Sequence, residues 1–259
     1  MKRCFFVALW LLTGAALAQE GEQTAPFVTT PADVVVSMLR FAGTGPSDLV
    51  VDLGSGDGRI PITAAAEFGA RGLGIEIDAA LVEESNRNAR AAGVVDRVRF
   101  VHADVLREDF SQASVVTVYL LPALINRLQP KLLDDLRPGT RIVSHAFAMV
   151  GWPPDRTHTL RLAQRHERQG DHSTIHLWVV PAKARGRWTG SGWDVVVHQN
   201  FQQIEVEARR DGRPVAVTGA RLSGEDITWD TPAGRFRGRV GARAMTGTFA
   251  GAPLALEKR

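Results

Sequence analysis

From residue 34 onward, apolar side chains recur along the chain in two alternating rhythms. Val34, Val35, Met38, Leu39 and Ala42 fall three and four apart, as on one face of a helix opened by Thr30-Pro31 and stopped within residues 43–47. Residues 49–53 then form a short, nearly unbroken apolar run, the pattern of a strand covered on both faces. The alternation continues with a helix over 59–68, a strand over 72–77 and a helix over 80–92 stopped by Gly93. Strands over 98–102 and 115–121, a helix over 124–136 and a strand over 141–145 complete it. Short buried strands alternating with helices predict an α/β fold, a doubly wound and mostly parallel sheet with helices on both faces. Residues 157–167 and 173–180 break the rhythm. They are strand-like runs joined by Gln169-Gly170-Asp171-His172, with no helix between them.

Beyond Pro181 no helical period is found. Six short β-like runs at 195–197, 204–208, 214–218, 227–229, 236–240 and 245–249 are separated by turn residues such as Asp211-Gly212. They predict a small C-terminal antiparallel β domain, with Trp188 and Trp193 in its core. Charge changes at the same place. Residues 19–180 hold 16 basic and 20 acidic side chains, a net of −4, whereas residues 181–259 hold 13 and 8, a net of +5. Arg235, Arg237 and Arg239 alternate along one predicted strand. They form either a solvated face or a docking surface for an acidic partner or anionic surface.

The N-terminus stands apart. Lys2 and Arg3 precede an apolar run over 4–12, Thr13 and Gly14 break it, and Ala16-Leu17-Ala18 supplies small residues where a signal peptidase reads. Even counted from Cys4 to Ala18 the stretch is shorter than the roughly 20 residues that span a membrane as a helix. An export signal cleaved near Ala18 is expected, giving a periplasmic or secreted chain with no transmembrane segment. Cleavage would remove the single cysteine, Cys4, and lower the formal charge from +3 to +1. The expected organisation is a signal peptide over 1–18, a tether over 19–31, an α/β domain over 32–182 and a β-rich domain over 183–259.

Three features of the α/β part fit an adenosine-containing ligand at the carboxyl edge of the sheet. Gly54-Ser55-Gly56-Asp57-Gly58 lies between the first strand and its helix, where glycines let the backbone turn sharply and approach a ligand. Asp52 stands just before that turn. Glu76 follows Gly54 by 22 residues, where a carboxylate can accept both ribose hydroxyls. Asp104 closes the third strand, placed to accept from an adenine amine while the Val105 backbone meets the ring edge. Dinucleotide sites favour G-x-G-x-x-G around a pyrophosphate. Here the spacing is G-x-G-x-G with Asp52 and Asp57 added, which suits a cationic, zwitterionic ligand. The pattern favours S-adenosylmethionine; no metal is expected.

The closing hairpin after five strand–helix units resembles the end of class I S-adenosylmethionine-dependent methyltransferases, whose last strand inserts antiparallel. Val51 to Arg59 (VDLGSGDGR), Gly74 to Asp78 (GIEID) and Tyr119-Leu120-Leu121-Pro122 narrow the resemblance. They look like the small family of lysine N-methyltransferases that act on the ATP synthase c-subunit and the adenine nucleotide translocase. Phe27-Val28-Thr29-Thr30-Pro31 resembles that family's threonine–proline segment. The resemblance covers about half the chain. It implies a Rossmann-like seven-stranded sheet with an antiparallel last strand. It also implies cofactor contacts from Thr30, Asp52, Gly54, Gly56, Gly58, Glu76 and Asp104, and a substrate side at Tyr119 and Pro122.

Amino-methylating nucleic-acid enzymes often carry Asp or Asn before Pro-Pro and an aromatic after strand four. Tyr119-Leu120-Leu121-Pro122 has no acid or amide, which argues against a nucleic-acid partner. A protein substrate modified at lysine is expected, with Tyr119 either holding the amine by its hydroxyl and ring face or packing at the sheet edge. His145 reads as a core histidine rather than a base. Two alternatives stay open: methylation of a small molecule or lipid, and an exported binding module that keeps the fold without catalysis.

Overall fold

The structure is a computed structural model that describes residues 28–166 and 170–259, His166 by its backbone alone. The expected export signal, residues 19–27 of the tether, Glu167 of the expected strand and Gln169 of the expected hairpin turn lie outside the described residues. The fold is methyltransferase-like α/β: a mixed seven-stranded sheet and a separate nine-stranded antiparallel sheet.

The first sheet follows the apolar rhythm closely. Its elements are α1 (Ala32–Phe41), β1 (Leu49–Leu53), α2 (Arg59–Phe68), β2 (Arg71–Glu76), α3 (Ala79–Ala91) and β3 (Val98–His102). They are followed by β4 (Val115–Val118), α4 (Pro122–Asp134), β5 (Arg141–His145), β6 (Arg156–His166) and β7 (Gly170–Val179). The strand order is β3-β2-β1-β4-β5-β7-β6. β1 to β5 run parallel, and β7 inserts antiparallel beside β5. Alternate residues of the central strands face opposite cores. Val50, Val115 and Val143 pack with Val34, Met38, Ile60 and Ala64 of α1 and α2. Val51, Leu53, Val116, Val118 and Ile142 pack with Ile125, Leu128 and Leu132 of α4.

One boundary differs from expectation in a way that matters. β4 stops at Val118 and α4 begins at Pro122, so Tyr119, Leu120 and Leu121 are not strand. Pro122 is the first residue of α4, where its missing N–H costs nothing. It also holds Leu121 extended (φ −62°, ψ 147°). The apolar pattern alone carried the strand to 121 because Leu120 and Leu121 are apolar for another reason: both line a cavity.

The second sheet comprises β8 (Gly186–Gly190), β9 (Trp193–Asn200), β10 (Gln203–Arg210), β11 (Arg213–Val215), β12 (Thr218–Ser223), β13 (Asp226–Thr231), β14 (Gly234–Val240), β15 (Ala244–Phe249) and β16 (Ala252–Lys258). Their order is β11-β10-β9-β8-β16-β15-β14-β13-β12. The sheet curls until β12 returns against β10. Trp188, Trp193, Trp229 and Phe236 fill its interior. Three strands escaped the sequence pattern: β8, β12 and β16 are rich in glycine, alanine or charged residues, and only their neighbours' ladders fix them. The expected run at 214–218 is split between β11 and β12. Of the arginine row on β14, Arg235 pairs with Asp230 and Arg239 with Glu225, so that face is less basic than the sequence suggests. Arg237 lies between Thr228 and Thr248.

The two sheets touch at few places. The Trp152 ring stacks on Phe201 (5.5 Å, 9°), and its Nε1–H donates to Gln202 Oε1 at 2.9 Å. Gly224 sits against Gly139, where a Cβ would come within 3.0 Å of the Gly139 Cα.

Candidate active site

The glycine turn is fixed from two sides. The N–H groups of Gly54 and Ser55 both donate to the Ile75 carbonyl of β2, at 2.9 and 3.1 Å. Gly54 has φ +77°, and a Cβ there would fall 2.6 Å from Leu120, so only glycine meets both demands. From outside, Ser85 Oγ donates to Gly56 O (2.8 Å) and Asn88 Nδ2 to Asp57 O (2.9 Å), both from α3. Neither residue was singled out in the sequence; each is a small polar group on the inward side of α3. Gly58, at the N-terminus of α2 with φ +80°, packs on Phe100 and does not line the cavity. It makes the turn without facing the ligand space.

Asp57 differs from its expected part. The Arg59 guanidinium pairs with it at 2.6 Å and also donates to the Thr30 carbonyl at 2.9 Å. Asp57 is thereby ion-paired, and Arg59 ties the N-terminal segment to the turn.

Asp52 is 3% exposed and lines the cavity. Burial pushes its carboxyl up to about 7; the Thr117 hydroxyl opposes this by donating to Oδ1 at 2.7 Å, and the Glu76 and Asp57 charges add to it. Thr117 is the polar residue within the apolar β4, in register with Asp52. That break in an apolar run was the signal that could have identified it. A buried carboxylate held near neutrality at a cavity wall fits a ligand that brings its own positive charge.

Glu76 ends β2 and is 7% exposed. Its Oε2 accepts from Gly56 N at 2.8 Å, and its Oε1 from Ile77 N (2.8 Å) and Asp78 N (3.0 Å). The carboxylate therefore organises the turn as well as facing the cavity. Asp104 lies two residues past β3, not at its end. It lines the cavity beside Val105, and its Oδ1 accepts from Leu106 N at 2.9 Å. Thr30 also lines the cavity.

These residues border one cavity of about 790 Å³. Part of its lining is apolar: Tyr119, Leu120, Leu121, Ala123 and Leu124, with Arg127 among them. Pro122, expected on the substrate side, does not line it and instead starts α4. The Tyr119 ring lies against His145 (4.0 Å) and Phe147 (6.4 Å, 16°). His145 is fully buried, with Nε2 2.7 Å from Ser173 Oγ and Nδ1 3.3 Å from Thr30 Oγ1. It does not line the cavity, consistent with a core histidine that positions Thr30 and Tyr119. Among the described residues no grouping of histidine, cysteine and acids could hold a metal.

Comparison with known proteins agrees with this geometry. The model of the ANTKMT methyltransferase domain matches residues 52–156. A protein-lysine N-methyltransferase of Saccharolobus islandicus is 44% identical over 156 residues, 60% of this chain and 93% of that protein. The chain belongs to this methyltransferase family. The Xenopus laevis lysine N-methyltransferase of the ATP synthase c-subunit is 37% identical over 130 residues, half of this chain and 55% of that one. A crystal structure described as an RNA methyltransferase from Salinibacter ruber, with bound S-adenosyl-L-homocysteine, is 46% identical. It matches with a TM-score of 0.55 over 60% of this chain and 95% of that chain.

The protein is thus an S-adenosylmethionine-dependent methyltransferase. Its residues fit that cofactor: a glycine turn open to close approach, a buried acid awaiting a cation, and carboxylates at the ends of β2 and beyond β3. Among the described residues no helix is long and apolar enough to cross a membrane. The family match ends at residue 156, well before β8 opens the second sheet at Gly186.

Proposed function

We propose that this methyltransferase transfers methyl groups to lysine side chains of protein substrates outside the cytoplasm. The observation that carries the reading is one cavity lined both by the buried acids Asp52 and Glu76 and by the apolar residues Tyr119, Leu120, Leu121, Ala123 and Leu124. When bound, the cofactor supplies a methyl group on a positively charged sulfur. Asp52 then balances the ligand's positive charge, Glu76 accepts from the ribose, and Asp104 with the Val105 backbone receives the adenine. Thr30 closes the cavity from the N-terminal segment. Tyr119 offers its ring face and hydroxyl to the incoming amine. The apolar wall strips water from that amine, favouring its neutral, nucleophilic form, and in-line alignment supplies much of the rest.

Export is supported by the pattern from Lys2 to Ala18, and a β-rich domain over 183–259 by the second sheet's separate core. Its net positive charge supports docking to an acidic protein or anionic surface, through Arg237 rather than its paired neighbours. One finding favours a second reading: the 46% identical Salinibacter protein is described as acting on RNA. Against it stands the lack of an acid or amide in Tyr119-Leu120-Leu121-Pro122. Incubation with methyl-labelled S-adenosylmethionine and separate protein, RNA and lipid fractions tests the choice. Label on lysine, located by mass spectrometry, is expected. Label confined to RNA or lipid, or none at all, would overturn the lysine reading.

The Asp52 environment gives a further expectation. With its carboxyl near 7 in the ligand-free protein, a cationic ligand must displace a proton below that pH. S-adenosylmethionine affinity should therefore fall by about tenfold per pH unit below 7 and level off above it. Calorimetry at pH 6 in two buffers of different ionisation enthalpy should show release approaching one proton. Proton uptake, or affinity flat from pH 5.5 to 8, would remove Asp52 from the ligand's charge site.

A further inference from the structure

The turn between β9 and β10 is an unusual one. Its two residues are Phe201 and Gln202, and Phe201 has φ +54°. Tight hairpin turns that need positive φ ordinarily use glycine or asparagine there. The other hairpins of this sheet with a non-glycine residue at positive φ, at Ser191, Asp211 and Ala250, each follow it with a glycine. Here a large aromatic occupies the strained position, and no glycine follows. Strain of this kind persists where the surroundings demand that side chain.

What the ring does is visible on its other side. It stacks on Trp152 at 5.5 Å, and Trp152 is fully buried. Gln202 reinforces the contact twice, accepting from Trp152 Nε1 at 2.9 Å and donating to Pro153 O at 2.6 Å. Trp152 lies in the loop, residues 146–155, that leaves the carboxyl end of β5. That loop starts with Ala146, also at positive φ (+67°), and places Phe147 parallel to the Tyr119 ring. Between its ends Val150 is 71% exposed, its N–H donating to Asn126 of α4 beside the cavity residue Arg127.

We propose that Phe201 is a positioning residue through which the second sheet selects the protein substrate. The Phe201–Trp152 stack anchors residues 146–152 from the second sheet and thereby sets where Phe147 stands against the cavity residue Tyr119 and Val150 against Asn126, next to the cavity residue Arg127. The glycine turn is held instead by Ile75, Glu76, Ser85 and Asn88, so its contacts with the cofactor are independent of that stack. The inference rests on methyl transfer to a protein, but its central claim concerns the loop and is testable without turnover.

Phe201→Gly removes the ring while suiting the backbone, so it guards against simple misfolding; Gln202→Ala is the second variant. Hydrogen exchange on the full-length, ligand-free protein should show amides 147–152 exchanging at least about tenfold faster in Phe201→Gly, with those of residues 54–58 unchanged. Gln202→Ala should shift the same amides less. S-adenosylmethionine affinity should stay within about twofold of wild type, while KM for long-chain poly-L-lysine rises about fivefold at nearly constant kcat. Unchanged exchange across 147–152, or cofactor affinity falling in step with KM, would overturn the proposal. If the wild type does not methylate poly-L-lysine, the lysine reading loses support on its own, and the exchange result still decides the anchor.

Discussion

Replacing Glu76 by alanine is expected to weaken S-adenosylmethionine binding by roughly 30- to 1,000-fold, the equivalent of about 2–4 kcal/mol for lost charge-assisted hydrogen bonds. Two losses combine. The variant gives up the acceptor expected to meet the ribose, and it also releases the N–H of Gly56, Ile77 and Asp78 that the carboxylate now receives. The glycine turn would still be held by Ile75 O, Ser85 and Asn88, so the fold should survive. Glu76→Gln should also bind poorly, because its amide would present a donor to N–H groups that need acceptors. Calorimetry on variants with wild-type circular dichroism checks this; wild-type affinity in a folded Glu76→Ala would exclude Glu76 from the site.

Asp52→Asn should move stability and binding in opposite directions. Burial raises the folded-state value of Asp52 to about 7, above its unfolded value, so its favourable contribution is full below pH 3.8 and is lost as pH rises through 7. At pH 8 the ionised group costs the ligand-free fold as much as about 4 kcal/mol. An asparagine keeps an oxygen for the Thr117 hydroxyl and carries no charge, so ligand-free Asp52→Asn should melt several degrees higher than wild type at pH 8. The gap should narrow as pH falls through 7 and close only below about pH 3.8, where the unfolded carboxyl is protonated as well. The same variant should bind S-adenosylmethionine at least about tenfold more weakly at pH 8, and without pH dependence, having lost the buried counter-charge. A variant that is both less stable and equally tight-binding at pH 8 would show that Asp52 serves the fold alone. This trade-off is what a functional acid kept in a costly place should display.

Much of the first sheet was legible in the chain. β1, α2, β3 and β5 fall at their expected residues because each is a short apolar run or helical stripe bounded by glycine, proline or acids. Such signals are local, set by period and turn chemistry. The glycine turn, Glu76 and Asp104 were found the same way, from their places at or near strand ends. The boundaries that slipped are those where a residue is apolar for the cavity's sake, as at Leu120 and Leu121, or where strands lack apolar content, as in β12.

Local pattern was enough to make the chain build a sheet of parallel strands, turn sharply after Asp52, and set acids in order along one edge. What each of those acids does followed from the packing of the folded chain. Asp57 was paired with an arginine two residues away that also reaches Thr30, Asp52 was lifted toward neutrality by burial against the opposing Thr117 hydrogen bond, and Glu76 was enlisted to hold the turn. That packing also brought Phe201 to Trp152 across 49 positions of chain. The reason is physical. Period and turn propensity act over a few neighbouring residues, whereas desolvation, charge pairing and ring stacking depend on which distant groups the fold brings within a few ångströms.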